Sequence, residues 1–180
     1  MSGRWLPDVS RLQRHAGRAV AFTAWHYFEA TADTAFLQQE GAEMILEIAR
    51  YWAALATHDP ALGRFVIRGV MGPDEFHTGY LGAEDKGVDN NAYTNLMARE
   101  NLAAAAECLQ LLEDTDPDAH ARLVARLKSE AHEPAAWGRA ADMKFGPYAA
   151  RAGVRLPAAP FRHRPPGAVR GPTGPEYPEE

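Results

Sequence analysis

The sequence predicts an all-α fold of antiparallel helix pairs, an α/α architecture. Three observations carry that prediction. Apolar residues recur at spacings of three and four over most of the first 145 positions. One stretch, 59–88, breaks that period with six glycines and two prolines. From Gly146 onward the composition changes again, with eight of the chain's thirteen prolines and no hydrophobic periodicity.

The first helix is expected in "DVSRLQRHAGRAVAFTAWHYFEATAD", where Val9, Leu12, Ala16, Ala19, Val20, Phe22, Trp25 and Phe28 share one broad face. Asp8 and Ser10 compete to cap its start. "TAD" at 31–33 reads as a break and a new cap. A second helix then buries Phe36, Leu37, Met44, Ile45, Ile48, Trp52 and Leu55, with Gly41 either weakening it or marking its true beginning. "RFVIRGV" reads as a short strand inside the irregular stretch. Helix resumes near Asp89 and runs through "NAYTNLMARENLAAAAECLQLLED", followed by "PDAHARLVARLKSEAH" and the short "EPAAWGRAADMKF". The proline-rich remainder has too little periodic apolar surface to offset its ordering entropy, so residues 146–180 are expected to be a disordered tail.

Composition removes several function classes. A chain of 180 residues has room for one core, and 46% hydrophobic with 24% charged residues is ordinary for a globular protein. A net charge of −5 leaves no basic footprint for nucleic acid. Cys108, the single cysteine, lies in an apolar helical stretch and reads as a packed thiol. No apolar run reaches the ~18 residues of a membrane span, and "MSGRWLPDVSR" lacks the apolar core of a signal peptide. The expected location is therefore cytoplasmic. Seven histidines show neither HExxH nor a Cys/His pairing, so no metal is expected. GxGxxG, GxxxxGK[ST] and GxSxG are all missing from the sequence. Glu40, Glu43 and Glu47 with Arg50 read as a solvated helix face.

Chemistry concentrates in two places. In "VMGPDEFH", Glu75 stands between Pro73 and Phe76, where partial desolvation would raise its pKa toward that of a general acid. Asp74 faces the other way in an extended loop and reads as a brace or a helix cap. His77 is a ligand-binding or carboxylate-orienting group, or a solvated loop histidine. In "VDNNAYTN", Asp89 or Asn90 is expected to cap the next helix. The other amides either brace the loop or meet a hydroxyl-rich ligand.

"RGVMGPDEFH" followed by "VDNNAYTNLMARENL" resembles the catalytic-domain signature of glycoside hydrolase family 65, which includes maltose, trehalose, kojibiose and nigerose phosphorylases and trehalose-type hydrolases. "RLQRHAGRAVAFTAWHYFEATAD", "FLQQEGAEMILEIARYWAALA" and "GRFVIRGVMGPDE" follow the same pattern in order, so the resemblance covers about residues 4–130. It implies a partial (α/α)6 barrel of about four to five helices over residues 1–145. It places the general acid on Glu75, acting on an α-linked glucosyl disaccharide with inversion. His77, Asn90 and Asn91 would bind substrate on the acceptor side. No cofactor is implied; inorganic phosphate would be a co-substrate in a phosphorylase. The family's tryptophan–aspartate segment is expected before residue 1, and its lysine–glutamine segment and phosphate loop after "NNAYTN". No alignment is expected beyond about Lys144. These expectations describe a truncated or frame-shifted reading of a longer gene, inactive alone, whose partners are the missing portions of the parent enzyme. The rival expectation is a non-catalytic helical interaction protein derived from such an enzyme.

Overall fold

The computed structural model describes residues 9–73, 78–80, 82–83, 86–142, 148–149 and 154–155. Among them helix dominates, as the periodicity predicts.

A 3-10 turn, Ser10–Leu12, precedes α1, His15–Thr31. The helix starts later than the polar residues at 8–10 suggest: Ser10 opens the 3-10 turn, and Arg14 at the N-cap makes no side-chain cap bond. The cause is tertiary. The Leu12 carbonyl accepts the Met71 N–H at 2.9 Å, which anchors this segment to a distant loop and holds it out of the helix. The break at 31–33 is as expected. Ala32 adopts the left-handed conformation, with φ 53°, and the Asp33 carboxylate accepts the Phe36 N–H at 2.9 Å.

Residues Thr34–Phe36 form α2, a π turn spans Leu37–Gly41, and α3 runs over Ala42–Leu55. Gly41 therefore marks a change of helical register. A Cβ there would lie 2.8 Å from the Phe36 ring, so the aromatic occupies the space a larger residue would need. Two short strands follow, β1 (Thr57–Asp59) and β2 (Arg64–Val66), paired antiparallel with His58 opposite Phe65. The irregular region then leads to α4, Ala92–Thr115, the longest helix. α5, Pro117–Leu127, is capped by Asp116 and closed by Lys128 in the left-handed region, several residues before the sequence pattern fades. α6 covers Glu133–Asp142, and a minimal hairpin joins β3 (Tyr148–Ala149) to β4 (Val154–Arg155). The rest of the 146–180 segment, and the expectation of disorder for it, lies outside the described residues.

α4 is the central element, packed against α1, α3, α5 and α6. Ile45, Leu46, Ala49 and Trp52 of α3 meet Ala98, Leu102, Ala105 and Cys108 of α4, while Trp137 and Ala140 of α6 close the core. A fully buried Leu or Ile side chain contributes about 1.5–3 kcal/mol, so this layer dominates the favourable side of folding. Burial pushes the Cys108 thiol up to about 12, consistent with a packed, protonated group.

Arg50 is more than part of a solvated face. Its Nε and Nη2 each donate to the Glu133 carboxylate at 2.9 Å, Nη1 donates to the Leu127 carbonyl, and Nη2 also donates to the Ser129 hydroxyl. One guanidinium thereby ties α3 to the end of α5 and the start of α6, with Glu47 completing the cluster. The hydrogen bonds from Arg50 hold the Glu133 carboxyl below the usual glutamate range. A depressed carboxyl pKa stabilises the fold above its unfolded-state value of about 4.3, and that contribution fades as pH falls through the lower folded-state value. Glu133→Gln is expected to destabilise the chain by about 1–3 kcal/mol at neutral pH, and the difference from the parent should shrink below about pH 4. Urea melts across pH check this. A pH-independent difference would show that Glu133 acts through packing alone.

Candidate functional site

The irregular stretch between β2 and α4 has little regular structure of its own, so its backbone groups need partners elsewhere. The start of α4 provides them. Asn90 has φ 51°, a left-handed conformation that asparagine tolerates better than most residues. In that geometry its N–H donates to the Ile67 carbonyl at 2.7 Å, and its Oδ1 accepts the Ile67 N–H at 3.1 Å. The Asn95 amide reaches the same oxygen at 3.4 Å. One residue earlier, the Asp89 carboxylate accepts the Gly69 N–H at 3.0 Å, and the Asp89 N–H donates to the Tyr80 hydroxyl.

The helix itself is capped by Asn91, whose Oδ1 accepts the Thr94 N–H at 3.0 Å. The cap thus falls on Asn91 rather than on Asp89 or Asn90, because those two are committed to the 67–69 backbone. The Thr94 hydroxyl donates to the Met71 carbonyl at 3.1 Å. Val70 and Val88 exchange both backbone hydrogen bonds, at 3.0 and 2.7 Å, and the Gly87 N–H donates to Thr78. Gly87 has no alternative here. At φ 82°, an added Cβ would stand 2.5 Å from the carbonyl carbon of Gly69 and 2.7 Å from the nitrogen of Val70.

These bonds hold both flanks of "PDEFH" to the first turn of α4 and the residues just before it. Met71 is fixed on one side by Leu12 and Thr94, while Thr78 and Tyr80 are fixed on the other by Gly87 and Asp89. Asp74, Glu75 and His77 themselves lie outside the described residues. Asn90 and Asn91 are brought together and buried, at 4% and 1% exposure, with their side chains engaged in bracing and capping. Of the alternatives the sequence leaves open for these amides, bracing is the role for which the structure shows bonds.

Sequence reasoning passed over Tyr80, Gly87 and Thr94 as anchors. Thr94 had a readable signal, since it sits three residues after the cap with a hydroxyl on the inward side of the first turn. Tyr80 had none. Burial pushes its phenol up, against the pull of the Asp89 N–H that it accepts. On α1, the His15 ring stacks edge-on to Tyr93 at 5.5 Å, and burial pushes its imidazole down. Among the described residues there is no group of three His, Cys, Asp or Glu side chains placed to hold a metal ion, and no helix long and apolar enough to cross a membrane.

Paired helices around a polar, backbone-pinned loop at a helix N-terminus define part of an α/α-barrel catalytic domain. The model of the glycosyl hydrolase family 65 central catalytic domain matches residues 1–167, and the chain belongs to that family. The match runs past Lys144, where resemblance by sequence motif ends.

An uncharacterized glycosyl hydrolase of Mycobacterium tuberculosis H37Rv is 47% identical over 147 residues, covering 82% of this chain and 11% of that protein. A kojibiose phosphorylase of Caldanaerobacter subterraneus subsp. tengcongensis is 36% identical over 144 residues, covering 80% of this chain and 17% of the relative. The solved structure of a putative kojibiose phosphorylase from the human microbiome superposes with a TM-score of 0.62 at 23% identity. It covers 81% of this chain and 19% of that one, which establishes the partial (α/α)6-barrel fold. The chain thus spans less than a fifth of the length of each.

If the clamp is what fixes the loop flanks, its two most constrained positions should be costly to change. Gly87→Ala is expected to lose about 2–3 kcal/mol, from a forced positive φ and a backbone clash. Asn91→Ala should lose about 1 kcal/mol through the cap. Chemical denaturation reads both. A neutral Gly87→Ala would mean that the 69–70 and 87–88 segments are not held together in solution.

Proposed function

We propose that this chain carries the general-acid portion of an inverting enzyme that cleaves α-linked glucosyl disaccharides, as a phosphorylase or a hydrolase. The observation that supports it most is the anchoring of both flanks of the "GPDE" segment, by Thr94 in the first turn of α4 and by Gly87 and Asp89 just before it, in a chain of this family. Relatives of known activity include kojibiose, trehalose 6-phosphate, α,α-trehalose and 1,2-α-glucosylglycerol phosphorylases.

In this reading the Glu75 carboxyl protonates the bridging oxygen as the bond from that oxygen to the anomeric carbon breaks. The nucleophile adds to the opposite face of the same carbon, and the free sugar leaves carrying the proton. When inorganic phosphate attacks, the product is β-glucose 1-phosphate and no second carboxylate is needed. When water attacks, a base must accept its proton from roughly 6.5–9.5 Å across the site. His77, Asn90 and Asn91 would shape the acceptor side, the asparagines by holding the loop in place. No organic cofactor enters. Acid, substrate grip and nucleophile site have to be assembled together, so the 180 residues alone are expected to be inactive.

The test compares this chain with a form extended through its flanking coding sequence, on trehalose, maltose, kojibiose and nigerose, with and without phosphate. Phosphate-dependent release of β-glucose 1-phosphate by the extended form identifies a phosphorylase, and phosphate-independent glucose release a hydrolase. Glu75→Gln in that form should lower kcat by about 10²–10⁴-fold. Undiminished turnover would remove Glu75 from the mechanism, and turnover by the short chain would refute its dependence on the rest of the domain.

A further inference from the structure

Tyr27 and Phe36 meet edge to face at 4.8 Å, and with Val20 and Met44 they line an apolar groove of about 490 Å³ between α1, α2 and α3. Val20 and Tyr27 are 51% and 44% exposed, so this side of α1 is open. Met44 also lines a second groove, of about 530 Å³, and the two meet there. The second has Met44 and Ile48 as its apolar part and Glu40, Glu43 and Glu47 as its rim. Glu43 pairs with Arg126 at 2.9 Å, and Glu47 pairs with Arg50. Glu40, exposed and one turn beyond Phe36, has no cation beside it among the described residues.

A groove walled by aromatic rings suits a polyproline helix, whose shape is set before it docks and which loses little entropy on docking. A carboxylate at one end of that groove selects a segment with a cation close to its prolines. The chain carries such a segment in "PAAPFRHR", residues 157–164. Pro157 and Pro160 are three apart, on one side of a polyproline helix, and Arg162 follows two residues later. No Asp or Glu occurs between Met143 and Pro175, so the segment brings no charge that the glutamate rim would repel.

We propose that residues 157–164 dock in this groove of their own chain, with Pro157 and Pro160 against Tyr27 and Phe36, and Arg162 on Glu40. The spacing fits. Two residues of polyproline helix advance about 6 Å, and helical side chains four apart, as Phe36 and Glu40 are, stand about 5–6 Å from each other. Reach fits as well. Glu133, the first residue of α6, bonds to Arg50, which pairs with Glu47 on the rim. From there the ten residues of α6 extend about 15 Å. Beyond Asp142, the residues outside the β3–β4 hairpin that precede Pro157 span up to about 20 Å. Docking of this kind is independent of glycoside cleavage.

The test places a nitroxide on the full chain through His163→Cys, while Cys108, buried and with its thiol pushed up to about 12, stays unmodified. Methyl NMR reads paramagnetic broadening at Val20 and Met44, with Leu123 in the core of α5 as the reference. Selective broadening at Val20 and Met44 that does not change on dilution is the expected result. Glu40→Arg should weaken the docking equilibrium by up to about fivefold, and adding Arg162→Glu to it should restore the broadening. Pro157→Ala combined with Pro160→Ala should weaken docking too, which separates a fitted groove from charge attraction alone. Absent or uniform broadening overturns the proposal, as does broadening that neither Glu40→Arg nor the proline replacements reduce. Broadening seen only between a spin-labelled chain and an isotope-labelled second copy also overturns it, and assigns the groove to a dimer. The nitroxide measurement on the otherwise unchanged chain decides the matter even if a further variant fails to fold.

Discussion

The hydrogen-bonded clamp between the 67–71 backbone and residues 88–94, which lead into α4, is the constraint on which the rest of this structure depends. A connection of this length inside a helical domain cannot be held by apolar packing alone, because each of its peptide groups needs a partner once water is excluded. Here a few side chains meet much of that demand. Asn90 pairs with Ile67 through both backbone and amide, Asp89 takes Gly69, and Thr94 takes Met71. Because Met71 also donates to Leu12, the same clamp sets where α1 begins.

α4 is divided accordingly. Its first half buries Thr94, Asn95 and Asn101 alongside the core residues Ala98 and Leu102, with Asn91 at the cap, and its second half buries Cys108, Leu109 and Leu112. Both halves share in the core, while Thr94 at the start also gives the loop a fixed place to attach. The Arg50–Glu133 pair works at a separate junction, where α3 meets α5 and α6. It replaces apolar contact at a helix turn with charge-assisted bonds that also satisfy the end of α5.

The helices were legible in the sequence because their apolar periods are strong and local. Five segments of the reading correspond to α1, α3, α4, α5 and α6, and the break at Ala32–Asp33 follows from cap chemistry visible in "TAD". Boundaries set by distant contacts were not legible. Nothing near Ser10 announces that Leu12 will be claimed by Met71, 59 residues further along the chain, and nothing near Gly41 announces a π turn over Leu37–Gly41. The site shows the same split. "VDNNAYTN" could be read as a capping and bracing segment, but which amide caps and which braces depends on the backbone it meets.

The clamp is also built almost entirely from neutral groups. Asn90, Asn91, Thr94 and Asn95 are amides and a hydroxyl, and Asp89 is the one carboxylate among these braces, at an intermediate depth where it meets an N–H. Neutral braces avoid the desolvation cost of buried carboxylates. A cluster of carboxylates in the same place would repel one another and bring a charge that itself varied with pH. Capping by Asn91 leaves the cap position itself neutral, so Asp89, two residues earlier, is the one carboxylate among these braces near the positive end of α4's dipole, where a negative charge is favoured.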